Sequence, residues 1–209
     1  KLIRTTGIME SSIYEIIKPH LDSKDIDLAF LPRFTGVDLR ISSNKNDSIV
    51  NFLDKILPSI DKYYYADGEE ELEDVLGKVI IENKKTISTA ESCTGGLISD
   101  RLTNTPNSSS YFKGGIVAYS NLLKINLLNV NKETLNKYGA VSEEVALEMA
   151  EGVRNQLDVD IGLSTTGIAG PSGGSKEKPI GLVYIAISSS NYNKVYKFNF
   201  TKDRKINKL

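Results

Sequence analysis

An α/β fold is what this sequence predicts: a three-layer α/β/α domain on a mixed sheet, preceded by a small α+β domain. Three observations predict it. The first 65 or so residues alternate as α-β-β-α-β. An acidic, Gly-containing break follows at Asp67-Gly68-Glu69-Glu70-Glu71. Beyond it, helices and strands alternate and end in a hairpin, the pattern of helices laid on a mixed sheet. The expected domains are 1–66 and 70–209.

The elements follow in order. Residues 10–21 read as a helix, with Ser11 or Ser12 as N-cap and Ile13, Ile16, Ile17 and Leu21 on one face. Ile26 to Leu31 and Val37 to Ile41 read as strands, joined by the turn Pro32-Arg33-Phe34-Thr35-Gly36. Asp47 to Leu57 is a second helix, with Ile49, Phe52, Leu53, Ile56 and Leu57 on its apolar face. Tyr63-Tyr64-Tyr65 is a short strand. A helix over about 70–82 opens on the acidic break, whose carboxylates suit the dipole of a first turn.

In the second segment, Thr86 to Ala90 is a strand and Thr94 to Leu102 a helix. Gly115 to Tyr119 is a strand, followed by helices at about 120–128 and 132–138. Ser142 caps a helix that runs to about 157. Ile161 to Thr166 is an apolar strand. Gly181 to Ser188 and Lys194 to Phe200 pair as a hairpin through Ser189-Ser190-Asn191-Tyr192-Asn193. Residues 202–209 read as a helix just opening. With Lys1 in place of Met at the start, this leads us to expect a fragment of a longer polypeptide.

Composition excludes several function classes. Lys plus Arg number 26 and Asp plus Glu 27 in 209 residues, a net charge of −1. That balance argues against a nucleic-acid binder working through bulk charge. No apolar run reaches the roughly 18 residues of a membrane helix, so a soluble protein is expected. One Cys, Cys93, and one His, His20, rule out an intrachain disulfide and a zinc site built on several Cys or His. His20 sits in Lys18-Pro19-His20-Leu21, far in sequence from any Gly-rich loop. Proton transfer in an enzyme of this composition falls to Lys, Tyr, Asp or Glu.

Three strand-to-loop junctions carry the residue types that do chemistry. The first is Thr89-Ala90-Glu91-Ser92-Cys93-Thr94-Gly95-Gly96. Small residues at a helix start free backbone N–H groups for an anion; a plain N-cap with close-packed Gly explains them equally well. Cys93 is either a reactive thiol at that helix start or a buried, incidental one. The second is the Gly-rich stretch Thr165 to Gly181, which fits neither a Walker A loop nor G-x-G-x-x-G. It leaves a strand where α/β proteins bind ligands, or it is a flexible surface loop. The third runs from Pro106 to Lys124 and holds hydroxyls, a Tyr and a Lys. A Ser nucleophile here needs a base other than His. A Lys serves if burial lowers its pKa by about three units, or about 4 kcal/mol. The same residues also make an ordinary solvated loop.

Together these segments resemble the CinA family, whose C-terminal domain also occurs alone as PncC-type nicotinamide mononucleotide amidohydrolases. The matching blocks are Thr89 to Gly96, Phe112 to Asn121, Gly139-Ala140-Val141-Ser142, and Thr166-Gly167-Ile168-Ala169-Gly170-Pro171 continuing to Lys178-Pro179-Ile180-Gly181. The first 65 or so residues resemble the family's middle domain through Thr5 to Ser11 and Val37-Asp38-Leu39-Arg40. The family also carries an N-terminal domain, linked to ADP-ribose pyrophosphatase activity, that this sequence does not include.

The resemblance implies a metal-independent, cofactor-free cytoplasmic amidohydrolase, acting as a homodimer. It would convert nicotinamide mononucleotide to nicotinate mononucleotide and ammonia in NAD salvage. It implies Ser109, Tyr119 and Lys124 as catalytic residues. Lys124 would take the Ser109 proton, directly or through Tyr119. It implies substrate contacts at Thr94, Gly95, Thr166, Gly167 and Gly170, with Arg204 on the phosphate. Ser109 and Lys124 stand 15 residues apart, up to about 50 Å of extended chain, so the chain must double back for them to meet. Asn107 stands where the family often has Gly, and Lys202 where a Gly usually precedes Asp-Arg. The rival expectation is an inactive nucleotide-binding or regulatory fragment.

Overall fold

In the computed structural model, which describes residues 1–21 and 24–209, the chain opens with a strand absent from the sequence reading: β1, Leu2–Thr5. Four residues are too few to show a period on their own. Their partners define them, since β1 pairs antiparallel with both β3 (Val37–Ser42) and β4 (Tyr64–Asp67). With β2 (Asp27–Pro32) the sheet order is β2-β3-β1-β4. One face buries Ile3, Val37, Leu39 and Ile41 against Ile13 and Ile17 of α1 (Glu10–Ile17) and Phe52, Ile56 and Ile60 of α2 (Asn46–Ile60).

Both helices of this unit differ from expectation at their boundaries. The N-cap of α1 is Met9, without a side-chain hydrogen bond, rather than Ser11 or Ser12. The next helix, α2, continues past Leu57 through Pro58 to Ile60. Ile60 lies one turn beyond Ile56 and both are fully buried, so burial outweighs the proline's cost near the helix end. On the sheet's other face, the buried Arg4 guanidinium binds Asp38 (3.1 Å) and Glu71 (2.9 Å), and Arg33 reaches the same two carboxylates. His20 lies in this unit, Lys1–Leu76, in a short 3-10 turn.

The second unit spans Gly77–Leu209. The chain reaches it along α3 (Leu72–Glu82) and then forms β5 (Ile87–Glu91), α4 (Leu97–Asn104) and β6 (Phe112–Val117). Three helices follow: α5 (Asn121–Leu128), α6 (Lys132–Tyr138) and α7 (Glu143–Gln156). The strands β7 (Ile161–Gly167), β8 (Leu182–Ser188) and β9 (Asn193–Asn199) complete a sheet of order β6-β5-β7-β8-β9. β6, β5 and β7 are parallel; β8 and β9 are antiparallel additions. The expected mixed-sheet α/β fold is what forms.

Alternation along β5 sorts the two faces. Ala90 packs with Leu128, Val145 and Met149 of α5 and α7. Ile87 points the other way, into a cluster with Ile80, Leu102 and the fully buried Tyr111. The α7 helix approaches β7 so closely that a Cβ on Gly162 would collide with the Ala150 carbonyl. Ser142 caps α7 as expected. Residues 202–209 form a 3-10 turn at Ile206–Lys208, where a helix opening is expected. Among the described residues, no helix is long and apolar enough to cross a membrane.

Candidate active site

Parallel strands present their carboxyl ends on one rim of a sheet, where α/β proteins place ligands. Here the rim is formed by the ends of β5, β6 and β7. The residue after β5 is Ser92, whose N–H bonds the Thr165 carbonyl at 3.0 Å. The residue after β6 is Ala118, whose N–H bonds the Glu91 carbonyl at 2.8 Å. The chain then turns into α5, capped by the Ser120 hydroxyl, which accepts the Leu123 N–H. That cap sets the helix so that Lys124 points back at the rim.

Lys124 is 1 % exposed. Its Nζ donates to Ser92 Oγ at 3.0 Å and to the Ala118 carbonyl at 2.6 Å. Both partners are neutral. Burial without a neighbouring carboxylate pushes the Lys124 pKa down to about 8. A lysine with a lowered pKa can take a proton from a neighbouring hydroxyl near neutral pH, which is the chemistry this arrangement permits.

Around this pair lies a cavity of about 270 Å³. Tyr119, Asn121 and Lys124 line it on the β6–α5 side, Ala140 and Val141 on the α6–α7 side. Thr166, Gly167 and Gly170, from the loop after β7, close it together with Arg204. Arg204 donates to Tyr119 Oη at 3.0 Å and to the Gly170 carbonyl at 2.8 Å. Tyr119 itself is 60 % exposed. Thr166 Oγ1 is committed to the Ala140 carbonyl at 2.7 Å. Six of the residues expected at the site are therefore brought together: Tyr119, Lys124, Thr166, Gly167, Gly170 and Arg204.

Ser109 is not among them. It is exposed, in the 3-10 turn Ser108–Ser110 that precedes β6. β5 and β6 are parallel, so the loop before β6 lies at the opposite end of the sheet from the turn after β5. The length of β6 separates Ser109 from Lys124, about 20 Å of strand. The chain doubles back after β6, not before it, and the hydroxyl it brings to Lys124 belongs to Ser92.

Thr94 and Gly95 also fall outside the cavity lining. Thr94 is buried, its hydroxyl 2.8 Å from that of Thr165. The anion seat expected at this turn is occupied by the chain itself. Glu91, 1 % exposed, accepts the N–H groups of Gly96 (2.8 Å), Ile98 (3.2 Å) and Ser99 (2.8 Å) at the start of α4. With Gly95 and Gly96 at positive φ, outside the right-handed helical region, α4 begins at Leu97, not Thr94. Cys93 borders the cavity but packs with Ala169 and Val183, and burial pushes its thiol pKa up, the surroundings of a buried thiol rather than an activated one. Among the described residues, no three His, Cys, Asp or Glu cluster closely enough to hold a metal ion.

Ser92 and Glu91 were legible only as members of a motif. The signal that singles out Ser92 is its place directly after a buried strand, at the edge where parallel sheets bind ligands.

Residues 69–209 match the family model for the CinA C-terminal domain, and residues 1–66 that for the damage-inducible protein CinA KH domain. The chain belongs to the CinA family. A CinA-like protein from a Sulfurihydrogenibium species is 46 % identical over 197 residues, covering 94 % of this chain and 48 % of its own length. Another, from Chlorobium limicola, is 45 % identical over 194 residues, covering 89 % and 45 %. The chain spans about half the length of the curated relatives it matches. Among solved structures, the competence/damage inducible protein CihA from Agrobacterium tumefaciens matches at 37 % identity and TM-score 0.62, over 68 % of this chain and 91 % of that one. A CinA superfamily protein from Escherichia coli matches at 30 % and 0.64, over 69 % and 87 %.

Proposed function

We propose that the C-terminal domain of this CinA-family chain is an amidohydrolase acting on the carboxamide of nicotinamide mononucleotide, with Ser92 as nucleophile and Lys124 as its base. One observation carries this reading: a buried lysine whose amine, among the described residues, has as hydrogen-bond partners a serine hydroxyl at 3.0 Å and a carbonyl. The resemblance to PncC-type proteins names the substrate.

Lys124 acts as the neutral amine. The Ala118 carbonyl takes one of its N–H bonds and turns the lone pair toward Ser92. Ser92 Oγ attacks the carboxamide carbon while its proton passes to Lys124 Nζ. The proton then moves to the amide nitrogen, the C–N bond breaks and ammonia leaves. Water, losing its proton to Lys124, opens the acyl ester and releases nicotinate mononucleotide. Arg204 and the Thr166–Gly170 stretch serve to hold the nucleotide, the guanidinium exchanging its Tyr119 and Gly170 contacts for phosphate. No step calls for a metal.

The test is ammonia release from nicotinamide mononucleotide, with EDTA present, by the wild-type chain and by Ser92→Ala. Release that needs Ser92 supports the reading. Release undiminished in the variant sinks it. Tight nucleotide binding without release supports the rival, a binding or regulatory domain. A cytoplasmic homodimer belongs to the same reading, and a monomer at micromolar concentration in light scattering speaks against it.

A further inference from the structure

The most heavily bonded side chain beside the Ser92–Lys124 pair is one that the proposed reaction does not use. Glu91 ends β5 directly before Ser92. Adjacent residues of a strand face opposite ways, so Ser92 looks into the cavity and Glu91 away from it, under the first turn of α4. There its carboxylate accepts four hydrogen bonds. Oε2 takes the Gly96 and Ile98 N–H groups at 2.8 and 3.2 Å. Oε1 takes the Ser99 N–H at 2.8 Å and the Ser99 hydroxyl at 2.7 Å.

Those bonds tie both ends of the Ser92–Gly96 turn to one point. Gly95 and Gly96 have positive φ, +66° and +100°, so the turn has backbone freedom that something must remove. The Glu91 main chain touches the pair from the other side as well. Its carbonyl accepts the Ala118 N–H, and the Ala118 carbonyl is what holds Lys124 Nζ.

We infer that Glu91 is a positioning residue: its carboxylate locks the Ser92–Gly96 turn to the start of α4 and so holds Ser92 Oγ on Lys124 Nζ. The inference rests on the Ser92–Lys124 reading. Every donor facing the carboxylate is an N–H or O–H. A Gln in its place turns an NH₂ group against them, and an Asp is one methylene short of reaching them. Burial opposes the charge, but the bonds from Ser99 and the helix N–H groups outweigh it and keep the carboxyl below its usual range.

The experiment uses Glu91→Gln and the milder Ser99→Ala, which removes one of the four bonds. Two readouts are taken on folded protein: the kcat and KM of ammonia release, and the rate at which an alkyl fluorophosphonate labels Ser92. The expected result is a fall in kcat of about 10²-fold for E91Q, the scale of a nucleophile displaced by about 1 Å. KM stays within about twofold and labelling slows in parallel. S99A shows the same pattern several-fold smaller. A carboxylate that merely stabilises the fold predicts lower thermal stability with unchanged kcat and labelling per folded molecule. That outcome, in S99A if E91Q does not fold, overturns the inference. Labelling of Ser92 in a wild-type chain that releases no ammonia rejects the amide substrate, and the labelling rates still decide the role of Glu91. A wild-type chain that neither turns over nor takes the label overturns both.

Discussion

Lys124 Nζ lies 3.0 Å from Ser92 Oγ, although 32 residues separate them in the chain. The pair forms because β5 and β6 are parallel neighbours ending on the same rim, and because α5 starts at once after β6. A strand register and a helix cap together set the distance.

That geometry distinguishes two serines. Ser92→Ala is expected to lower ammonia release at least about 10³-fold, as loss of a nucleophile does. Ser109→Ala, at an exposed turn, is expected to stay within about twofold. Steady-state assays of the two variants check this, and the opposite pattern would return Ser109 to the mechanism.

The proposed reaction needs the unprotonated amine, and burial puts the Lys124 pKa at about 8. The kcat/KM profile of the free enzyme should therefore rise with pH through about 8 and level above it. Lys124→Arg keeps the charge but never gives up its proton at these pH values, so it should be inactive throughout. A flat profile from pH 6 to 10 contradicts the assignment.

The same burial carries a stability cost with a definite sign. The folded-state pKa, about 8, lies below the ordinary lysine value of 10.5. Below pH 8 both states hold the proton, and the folded state bears the full penalty of a buried ammonium, about 3 kcal/mol. Between pH 8 and 10.5 the unfolded chain holds more protons, so folding grows more favourable as pH rises. Lys124→Met removes the penalty together with two hydrogen bonds. It should stabilise the protein by roughly 1–3 kcal/mol at pH 7, and the gain should fade by about pH 10.5. Urea unfolding at both pH values tests this; a gain that grows with pH would refute it.

Cys93 serves as a control for the neighbourhood of Ser92. It is 5 % exposed and its thiol pKa is raised by burial. In native protein it should resist iodoacetamide at pH 7.5 and react only after unfolding. Mass spectrometry reads the alkylation directly, and rapid native labelling would mean that the thiol is open to the cavity it borders.

Where α7 meets β7, Gly162 has no room for a side chain. Its Cβ would strike the Ala150 carbonyl and crowd Arg154. Gly162→Ala should cost roughly 1–3 kcal/mol by forcing helix and sheet apart, read as a lower urea midpoint. Ammonia release per folded molecule should survive, since Gly162 lies toward the strand starts, away from the rim.

Much of this was legible in order along the chain. The apolar spacing of α2, the Ser142 cap of α7 and the β8–β9 hairpin are local patterns, and local patterns survive in one dimension. So are the exclusions: one His and one Cys leave Lys, Tyr and carboxylates for proton transfer. What the tertiary structure alone decided is which hydroxyl meets Lys124 and what fills the turn after β5. The resemblance pointed to Ser109, 15 residues from Lys124, whereas the hydroxyl beside Lys124 is that of Ser92, 32 residues away. Strand direction reverses that preference, because parallel pairing sends the loop before β6 to one end of the sheet and the turns after β5 and β6 to the other. The empty-looking anion seat of α4 is filled by Glu91, for a short turn folds the carboxylate back onto the helix start. Strand polarity and the return of a side chain on its own turn are properties of the packed sheet, and a row of residue types does not contain them.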